Sequence, residues 1–235
     1  MWFLAQEAAS TTAVDRFRDL LPDGDLRRIH VALADSWPDP MRTRVEPLLS
    51  VGAEMLECGD SPLIYRPWFP IEDAAGKLRG MYDLVVSFNV LGYVTDLRAA
   101  FEPMYALLAP GGMMIHRVHH GTHGPTEGVR GGWLHQYTYG ARIWRLMYSN
   151  RGGPNRQPAS SYGRACVEAG FSTVELDPVQ RVSAEEIRRE RPALAPEFQQ
   201  WSDEDLATHA SVLTARKATD CAHAEAVLPA DGDHA

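Results

Sequence analysis

The sequence predicts an α/β protein with parallel strands, and three neighbouring segments lead to that prediction. Residues 82–91 (YDLVVSFNVL) form a compact apolar run rich in β-branched residues, which is typical of a strand buried on both faces. Residues 97–108 carry apolar side chains at three- and four-residue spacing, which predicts an amphipathic helix. Residues 113–118 (MMIHRV) predict a second strand. Strand, helix and strand in this order form a βαβ unit with parallel strands and a right-handed crossover.

Signals at both ends of this helix support the prediction. Thr95 or Asp96 can act as the N-cap, because either side chain can accept a hydrogen bond from a free backbone N–H. The turn at residues 110–112 (PGG) predicts the end of the helix. Proline disfavours helical geometry at the residue before it, and glycine allows positive φ.

Length, charge and cysteine content limit the class of protein. A chain of 235 residues is long enough for one α/β domain with a sizeable core. Its net charge of −8 offers no basic excess to neutralise phosphates, which argues against nucleic-acid binding. The three cysteines lack metal-ligand spacing, which favours reduced thiols. No run reaches the roughly 20 apolar residues of a membrane span, and no signal peptide is recognisable. We therefore expect a cytoplasmic protein that binds no membrane.

The chain before residue 82 predicts two helices and two strands. Residues 11–21 place apolar side chains on one helical face, and residues 28–35 form an apolar run, typical of a strand, that ends in Asp35. Residues 41–49 predict a short helix and residues 53–58 a further strand. Residues 61–73 (SPLIYRPWFPIED) predict an aromatic, proline-rich loop.

The chain after residue 118 predicts helices and strands in alternation. An aromatic segment at residues 133–147 leads into a helix, and a polar loop follows at 149–156. The further predicted helices span residues 162–169, 184–191 and 195–206, the last with Trp201 as its anchor, and the strands span residues 172–176 and 209–216. Residues 218–235 show little periodicity, which predicts a disordered tail.

The stretch YDLVVSFNVLGYVTDLRAAFEPMYALLAPGGMMIHRV resembles the fourth strand, following helix and fifth strand of class I S-adenosylmethionine (SAM)-dependent methyltransferases. In that family an aspartate opens the fourth strand, as Asp83 does here, and a Pro-Gly-Gly turn precedes the fifth. Residues 168–171 (EAGF) match the motif before the sixth strand. The resemblance covers about residues 26–217. It implies a Rossmann-like sandwich with a mostly parallel sheet and an antiparallel last strand, within one domain at residues 1–217 whose first 25 residues are atypical.

The same resemblance implies SAM as the cofactor and suggests residues that bind it. Asp35, at the end of the family's second strand, would bind the ribose hydroxyls with Ser36 beside it. Asp60 and its neighbour Ser61 would lie near the adenine amine. A simple turn is the alternative role for Asp35 and for Asp60. The remaining candidate cofactor-binding residues lie at the end of the fourth strand: Ser87, Phe88 and Asn89.

The sequence departs from the family pattern at two places. The family has a glycine-rich turn after its first strand, but the first glycine of this chain is Gly24. The first strand is therefore vestigial at residues 2–5, or missing, or supplied by a second copy or a partner chain that completes the sheet. The second departure is Gly92, followed by Tyr93, where many members carry Glu-His.

Histidines and polar residues after the fifth strand are the candidate catalytic and substrate-binding residues. The carboxyl ends of strands line the ligand crevice of open α/β sheets, so His119 or His120 could act as the general base. Exposed loop histidines are the alternative, and a metal site is a further one that we do not favour because no metal-ligand motif accompanies them. The candidate substrate-binding residues are Trp133, Tyr137, Arg151, Asn155 and Arg156. Internal hydrogen bonding within the loop is the alternative role for the last three.

These features predict methyl transfer from SAM to a small-molecule acceptor, more often at oxygen. Such catalysis consists largely of aligning a nucleophile with the methyl group, so it requires few specific side chains. The missing glycine-rich turn leaves a second hypothesis open, in which the chain is a non-catalytic partner or scaffold that has lost the cofactor site. A metal hydrolase built on the histidines is a third hypothesis.

Overall fold

The computed structural model describes residues 8–14, 32, 35–43, 63–66, 68–74, 76–78, 82–122, 128–148 and 153–219. The chain divides into two compact units, residues 1–77 and residues 78–235. In the part of the chain that the structure describes, the first unit has a sheet of two strands and the second a sheet of four. Among the described residues, no helix has the length and hydropathy that a bilayer span requires.

The first unit contains two short parallel strands, β1 (Thr11–Val14) and β2 (Leu63–Arg66). The helix predicted from residue 11 is therefore wrong at residues 11–14. Three of these four residues are β-branched, and their stiff side chains favour extended backbone once a partner strand is available. Likewise, β2 lies within the segment predicted to be a loop. The rest of that predicted helix, residues 15–21, lies outside the described residues.

The predicted strand at residues 28–35 is wrong at its two described positions, because residues 32 and 35 are both helical. Alanine and leucine, which dominate the end of this run, are strong helix formers, and a short apolar run does not distinguish the two structures. Residues 39–43 are helical, which agrees with the start of the helix predicted at 41–49. The predicted strand at 53–58 lies outside the described residues.

The second unit is built on strands β3 (Tyr82–Phe88), β4 (Leu108–His119), β5 (Thr173–Arg181) and β6 (Thr208–Arg216). Their order is β3-β4-β6-β5. Strands β3 and β4 are parallel, and β6 is antiparallel to both of its neighbours. This topology confirms the predicted α/β fold with an antiparallel last strand.

Helix α1 (Leu97–Leu107) connects β3 to β4, as the sequence predicts. Asp96 is its N-cap, because its Oδ1 accepts a hydrogen bond of 3.0 Å from the Ala99 N–H. The helix ends at Leu107, and β4 begins at once, so the Pro-Gly-Gly turn lies inside the first part of the strand. Gly111 has a φ of 77°, which a glycine adopts without strain.

The other helices among the described residues of the second unit are α2 (Ala141–Met147), α3 (Ala159–Glu168), α4 (Ala184–Glu190), α5 (Pro196–Gln199) and α6 (Asp203–Ala207). Three-residue 3₁₀ turns lie at Ile71–Asp73 of the first unit and, in the second, at Leu91–Tyr93 and Arg191–Ala193; a longer 3₁₀ helix spans Gly132–Thr138. The single helix predicted at residues 195–206 is wrong, since Ser202 caps α6 separately. Trp201 still anchors the segment by packing against Tyr137 and Phe198.

The two faces of the four-stranded sheet differ in burial. Alternate residues of β4 are buried, and the pattern continues to His120, the residue after the strand. The ring of His116 lies 6.3 Å from that of Phe101 in α1, and the ring of His120 lies 5.0 Å from that of Tyr162 in α3. The prediction that residues 82–91 are buried on both faces is wrong, because Val86 and Phe88 are exposed. Among the strands that the structure describes, β3 is the last on its side of this sheet, and one face of it is exposed.

Candidate functional site

The candidate site lies at the carboxyl-terminal ends of strands β3 and β4 in the four-stranded sheet. Ligands of open α/β sheets bind at these ends. Because β6 is antiparallel to β4, its first residues lie beside the last residues of β4. The His120 N–H donates a 2.8 Å hydrogen bond to the His209 carbonyl, which fixes the two strand ends to each other.

The end of β3 presents an exposed ring and a strained backbone. The Phe88 side chain is 70% exposed, and the Arg117 guanidinium lies 4.9 Å from the centre of its ring. Asn89 has a φ of 56°, a left-handed conformation that asparagine tolerates better than most residues. Its Oδ1 accepts a 2.9 Å hydrogen bond from Arg117 Nη1. Its Nδ2 makes no hydrogen bond within the described part of the chain, so this amide can donate to a ligand.

Ser87, the third residue predicted to bind the cofactor at the end of β3, contacts a side chain of the protein interior. Its Oγ lies 2.7 Å from Nδ1 of His116, a fully buried side chain. Burial lowers the pKa of His116 to about 4, because the charged imidazolium would lose its hydration there. The neutral imidazole therefore packs beneath the site as part of the core.

The turn after β3 explains why residue 92 is a glycine. A Cβ atom at Gly92 would lie 2.9 Å from the His119 carbonyl oxygen, so the glutamate of many family members would not fit here without a backbone shift. Asn155 holds this turn: its N–H donates to the Gly92 carbonyl at 2.7 Å, and its Nδ2 donates to the Leu91 and Val94 carbonyls. Its polar atoms thus hold the loop in place, and substrate contact by Asn155 stays a prediction.

His120 is a buried residue with its polar groups largely engaged. Its Nε2 lies 2.8 Å from Ser211 Oγ, and its carbonyl accepts hydrogen bonds from Gln136 Nε2 and from the Tyr137 hydroxyl. Burial lowers the pKa of His120 to about 4, and positive charge on His119 or His209 would lower it further. Burial also raises the pKa of Tyr137 above its usual range. Both side chains therefore stay neutral at physiological pH.

His119 is the more accessible of the two neighbouring histidines. Its ring is half-buried and makes an edge-to-face contact with His209, with centroids 4.5 Å apart. His209 makes a second edge-to-face contact with Trp133, at 4.6 Å, and Trp133 is 36% exposed. We call His119, His209 and Trp133 the ring cluster. Sequence reasoning missed His209, although its place at the start of an antiparallel last strand next to the fifth would have indicated it.

Arg156 is held between two aromatic rings. Its guanidinium lies 4.5 Å from the centre of the Trp144 ring and 4.8 Å from that of Phe198. Its Nη1 donates to the Tyr139 carbonyl at 2.5 Å. Burial lowers the pKa of Arg156 below its ordinary value, but the group remains a cation. Arg156 therefore links Tyr139, the residue after the Gly132–Thr138 segment, to α2 and α5. Substrate binding by Arg156 stays a prediction.

The predicted site residues thus fall into three groups. His119 and Trp133 each contact the His209 ring, and Phe88 and Asn89 lie at the neighbouring strand end. Asp35 and Ser36 are exposed residues of the first unit. Asp60, Ser61 and Arg151 lie outside the described residues. Within the described ranges, no three or more histidine, cysteine or acidic residues are placed to hold a metal ion.

Comparisons with known proteins identify similar chains. A family model described as "Methyltransferase domain" matches residues 3–176. Among solved structures, the chain is similar to a SAM-dependent methyltransferase from Mesorhizobium loti, with 16% identity, a TM-score of 0.45, and coverage of 89% of this chain and 81% of that one. It is also similar to phosphoethanolamine N-methyltransferase 2 from Haemonchus contortus in complex with SAM (12% identity, TM-score 0.39, coverage 76% and 40%).

A third similar structure is an O-methyltransferase family protein from Burkholderia thailandensis (13% identity, TM-score 0.40, coverage 77% and 41%). The chain thus spans about two fifths of the length of the Haemonchus and Burkholderia proteins. No curated protein sequence matches it. At these identities and scores, the family assignment rests on the sequence match over residues 3–176.

Proposed function

Because this chain belongs to the methyltransferase-domain family, as the match over residues 3–176 shows, we propose that it methylates a hydroxyl oxygen of a small-molecule acceptor. Methyl transfer, and SAM as the cofactor, follow from the family. The choice of oxygen, the acceptor class and the residue roles are our proposal. The observation that carries it is a half-buried histidine, His119, at the carboxyl end of β4, whose ring contacts His209, which in turn contacts the exposed ring of Trp133.

The end of β3 offers groups that fit the cofactor. SAM, when bound, supplies a methyl group on a positively charged sulfur, and a nucleophile has only to be aligned with it. The exposed Phe88 ring provides apolar surface, and the Asn89 Nδ2 provides a donor without a partner in the described part of the chain. The ribose-binding role of Asp35, an exposed residue of the first unit, stays a separate prediction.

We assign the role of general base to His119 rather than to His120. A base has to reach the acceptor hydroxyl and must be able to bind a proton near neutral pH. The burial of His120, its contact with Ser211 and its pKa of about 4 all argue against that residue. With SAM bound, the acceptor oxygen would bond to the methyl carbon while the bond from that carbon to sulfur breaks, and S-adenosylhomocysteine would leave. The acceptor's O–H proton would pass to His119 and then to water.

Trp133 is the proposed contact for the acceptor. It is the member of the ring cluster that combines substantial exposure with a large flat surface. A flat ring binds the apolar face of a small molecule at little cost in side-chain entropy. This suggests an acceptor with a planar apolar part that carries the hydroxyl group.

The first test is cofactor binding, measured by calorimetry with SAM and with S-adenosylhomocysteine. The informative variant is Asn89→Gly, which keeps the left-handed backbone and removes the amide donor. We expect roughly tenfold weaker binding for it, the equivalent of one lost hydrogen bond of about 1.4 kcal/mol. Gln200→Ala removes an exposed amide elsewhere and should bind as the wild type does.

The competing proposal is a methyltransferase-like scaffold that binds no cofactor, and the lack of any glycine before Gly24 supports it. Absence of heat with either ligand, on a protein shown to be folded by circular dichroism, would favour the scaffold. If the cofactor binds, a screen of phenols and other planar alcohols with methyl-labelled SAM tests the acceptor class. Transfer to amines alone would contradict O-methylation.

A further inference from the structure

We propose that His209 is a positioning residue, which holds the ring of His119 in place for proton transfer, and that residue 121 is a glycine to make room for it. The inference deepens the proposed function, because it rests on His119 as the base. Its tests are chosen so that failure of the cofactor site and failure of the positioning role give different results.

The contacts of His209 connect two strands and a helical segment. Its carbonyl accepts the hydrogen bond from the His120 N–H, which fixes the backbone on either side of the ring cluster. Its ring, only 2% exposed, meets the His119 ring at an interplanar angle of 77° and the Trp133 ring at 73°. Edge-to-face geometry is favourable for aromatic rings, so His209 supports both neighbours at once.

Gly121 is shaped to this ring. A Cβ atom there would lie 1.9 Å from both Cε1 and Nδ1 of His209, much closer than any real contact. The backbone of Gly121 is not among the positive-φ glycines of the described residues, so an alanine would meet no strain in the chain itself. The requirement for glycine at this position therefore comes from the imidazole.

Electrostatics makes the arrangement suitable for a base. Positive charge on His119 or on His209 lowers the pKa of His120, so both rings lie close enough to affect its charge. A proton on His119 therefore disfavours one on His120, and burial also keeps His120 neutral. The half-buried His119 is the ring from which a proton can leave to solvent.

The experiment compares four variants by NMR of the His119 ring, with its signal assigned from the spectrum of His119→Gln. His209→Ala removes the support, and Gly121→Ala displaces the His209 ring without touching it chemically. His209→Phe keeps an aromatic ring, somewhat larger than the imidazole, that cannot titrate. Gly163→Ala is the matched glycine control, because a Cβ there makes only an ordinary 3.9 Å contact with Val174.

We expect the ring-current shift of His119 to be lost, and its order parameter to fall to the flexible range below about 0.6, in His209→Ala and in Gly121→Ala alike. His209→Phe should restore the order, and Gly163→Ala should match the wild type. Calorimetry with SAM should give the same affinity in all four variants, since the ring cluster is not a proposed cofactor contact. Circular dichroism establishes that each variant is folded.

An unchanged His119 signal in both His209→Ala and Gly121→Ala would overturn the positioning role, whatever the cofactor result. Failure of the wild type to bind SAM, together with the expected NMR changes, would instead overturn the proposed enzyme function and leave the contact itself established.

Discussion

The buried His116 predicts a steep loss of stability in acid. Its ordinary pKa is 6.5, and burial lowers it to about 4 in the folded chain. Above pH 6.5 the residue is neutral in both states and has no effect. As the pH falls from 6.5 towards 4, the unfolded chain takes up a proton that the folded chain excludes, so the free energy of unfolding decreases. The loss reaches about 3 kcal/mol at pH 4 and levels off below it.

This loss is a large fraction of the roughly 5–15 kcal/mol that stabilises a typical domain. The variant His116→Asn removes the titrating group while its side-chain amide can still reach Ser87, which lies 2.7 Å from Nδ1 in the wild type. Its smaller volume will cost some stability at every pH. The wild type should therefore have the larger free energy of unfolding near neutral pH. As the pH falls, this advantage should shrink, and at low pH the variant should be the more stable of the two.

The assay is urea denaturation monitored by tryptophan fluorescence. It is repeated at several pH values between about 7.5 and 4, and each free energy of unfolding is extrapolated linearly to zero denaturant. Ser87→Ala is the control, because it removes the partner hydroxyl but leaves the titrating imidazole, and it should keep the slope of the wild type. The same pH slope in His116→Asn as in the wild type would refute the reasoning.

Three further predictions follow from single contacts. Asn155→Ala leaves buried carbonyls of the turn after β3 without donors and should lower the free energy of unfolding by about 2 kcal/mol, measured by urea denaturation. Asp96→Ala removes the N-cap of α1 and should lower the free energy of unfolding by about 1 kcal/mol. Asp96→Ser, which can still cap the helix, should keep most of that stability in the same assay. His119→Gln should reduce kcat by roughly 10²–10⁴-fold with any acceptor found, while calorimetry shows unchanged SAM affinity; a kcat near that of the wild type would exclude His119 as the base.

Local signals explain why the sequence predicts the centre of the fold well. The β-branched run of β3, the apolar spacing of α1 and the capping side chain of Asp96 all act within a few residues of each other. Such signals survive into the folded protein because the tertiary packing agrees with them. The pairing of β3 with β4 in parallel confirms the prediction made from this segment.

The corrections concern places where distant partners decide the outcome. Residues 11–14 are a strand because β2 pairs with them, and a strand takes much of its stability from such a neighbour. Helices α5 and α6 are separate because Ser202 begins a new helix where apolar spacing alone continues. The sequence pattern of a segment indicates which secondary structure it favours, but not which other segment it will pair with.

The candidate site divides in the same way. The sequence by itself determined that histidines follow the fifth strand of the methyltransferase pattern, and hence that a base could lie there. Only the tertiary structure distinguished His119 from His120, because successive residues of a strand face opposite sides and one side of β4 is buried against α1 and α3. Only the antiparallel pairing of β6 with β4 placed His209 beside His119, since contacts between segments remote in sequence depend on how the strands assemble.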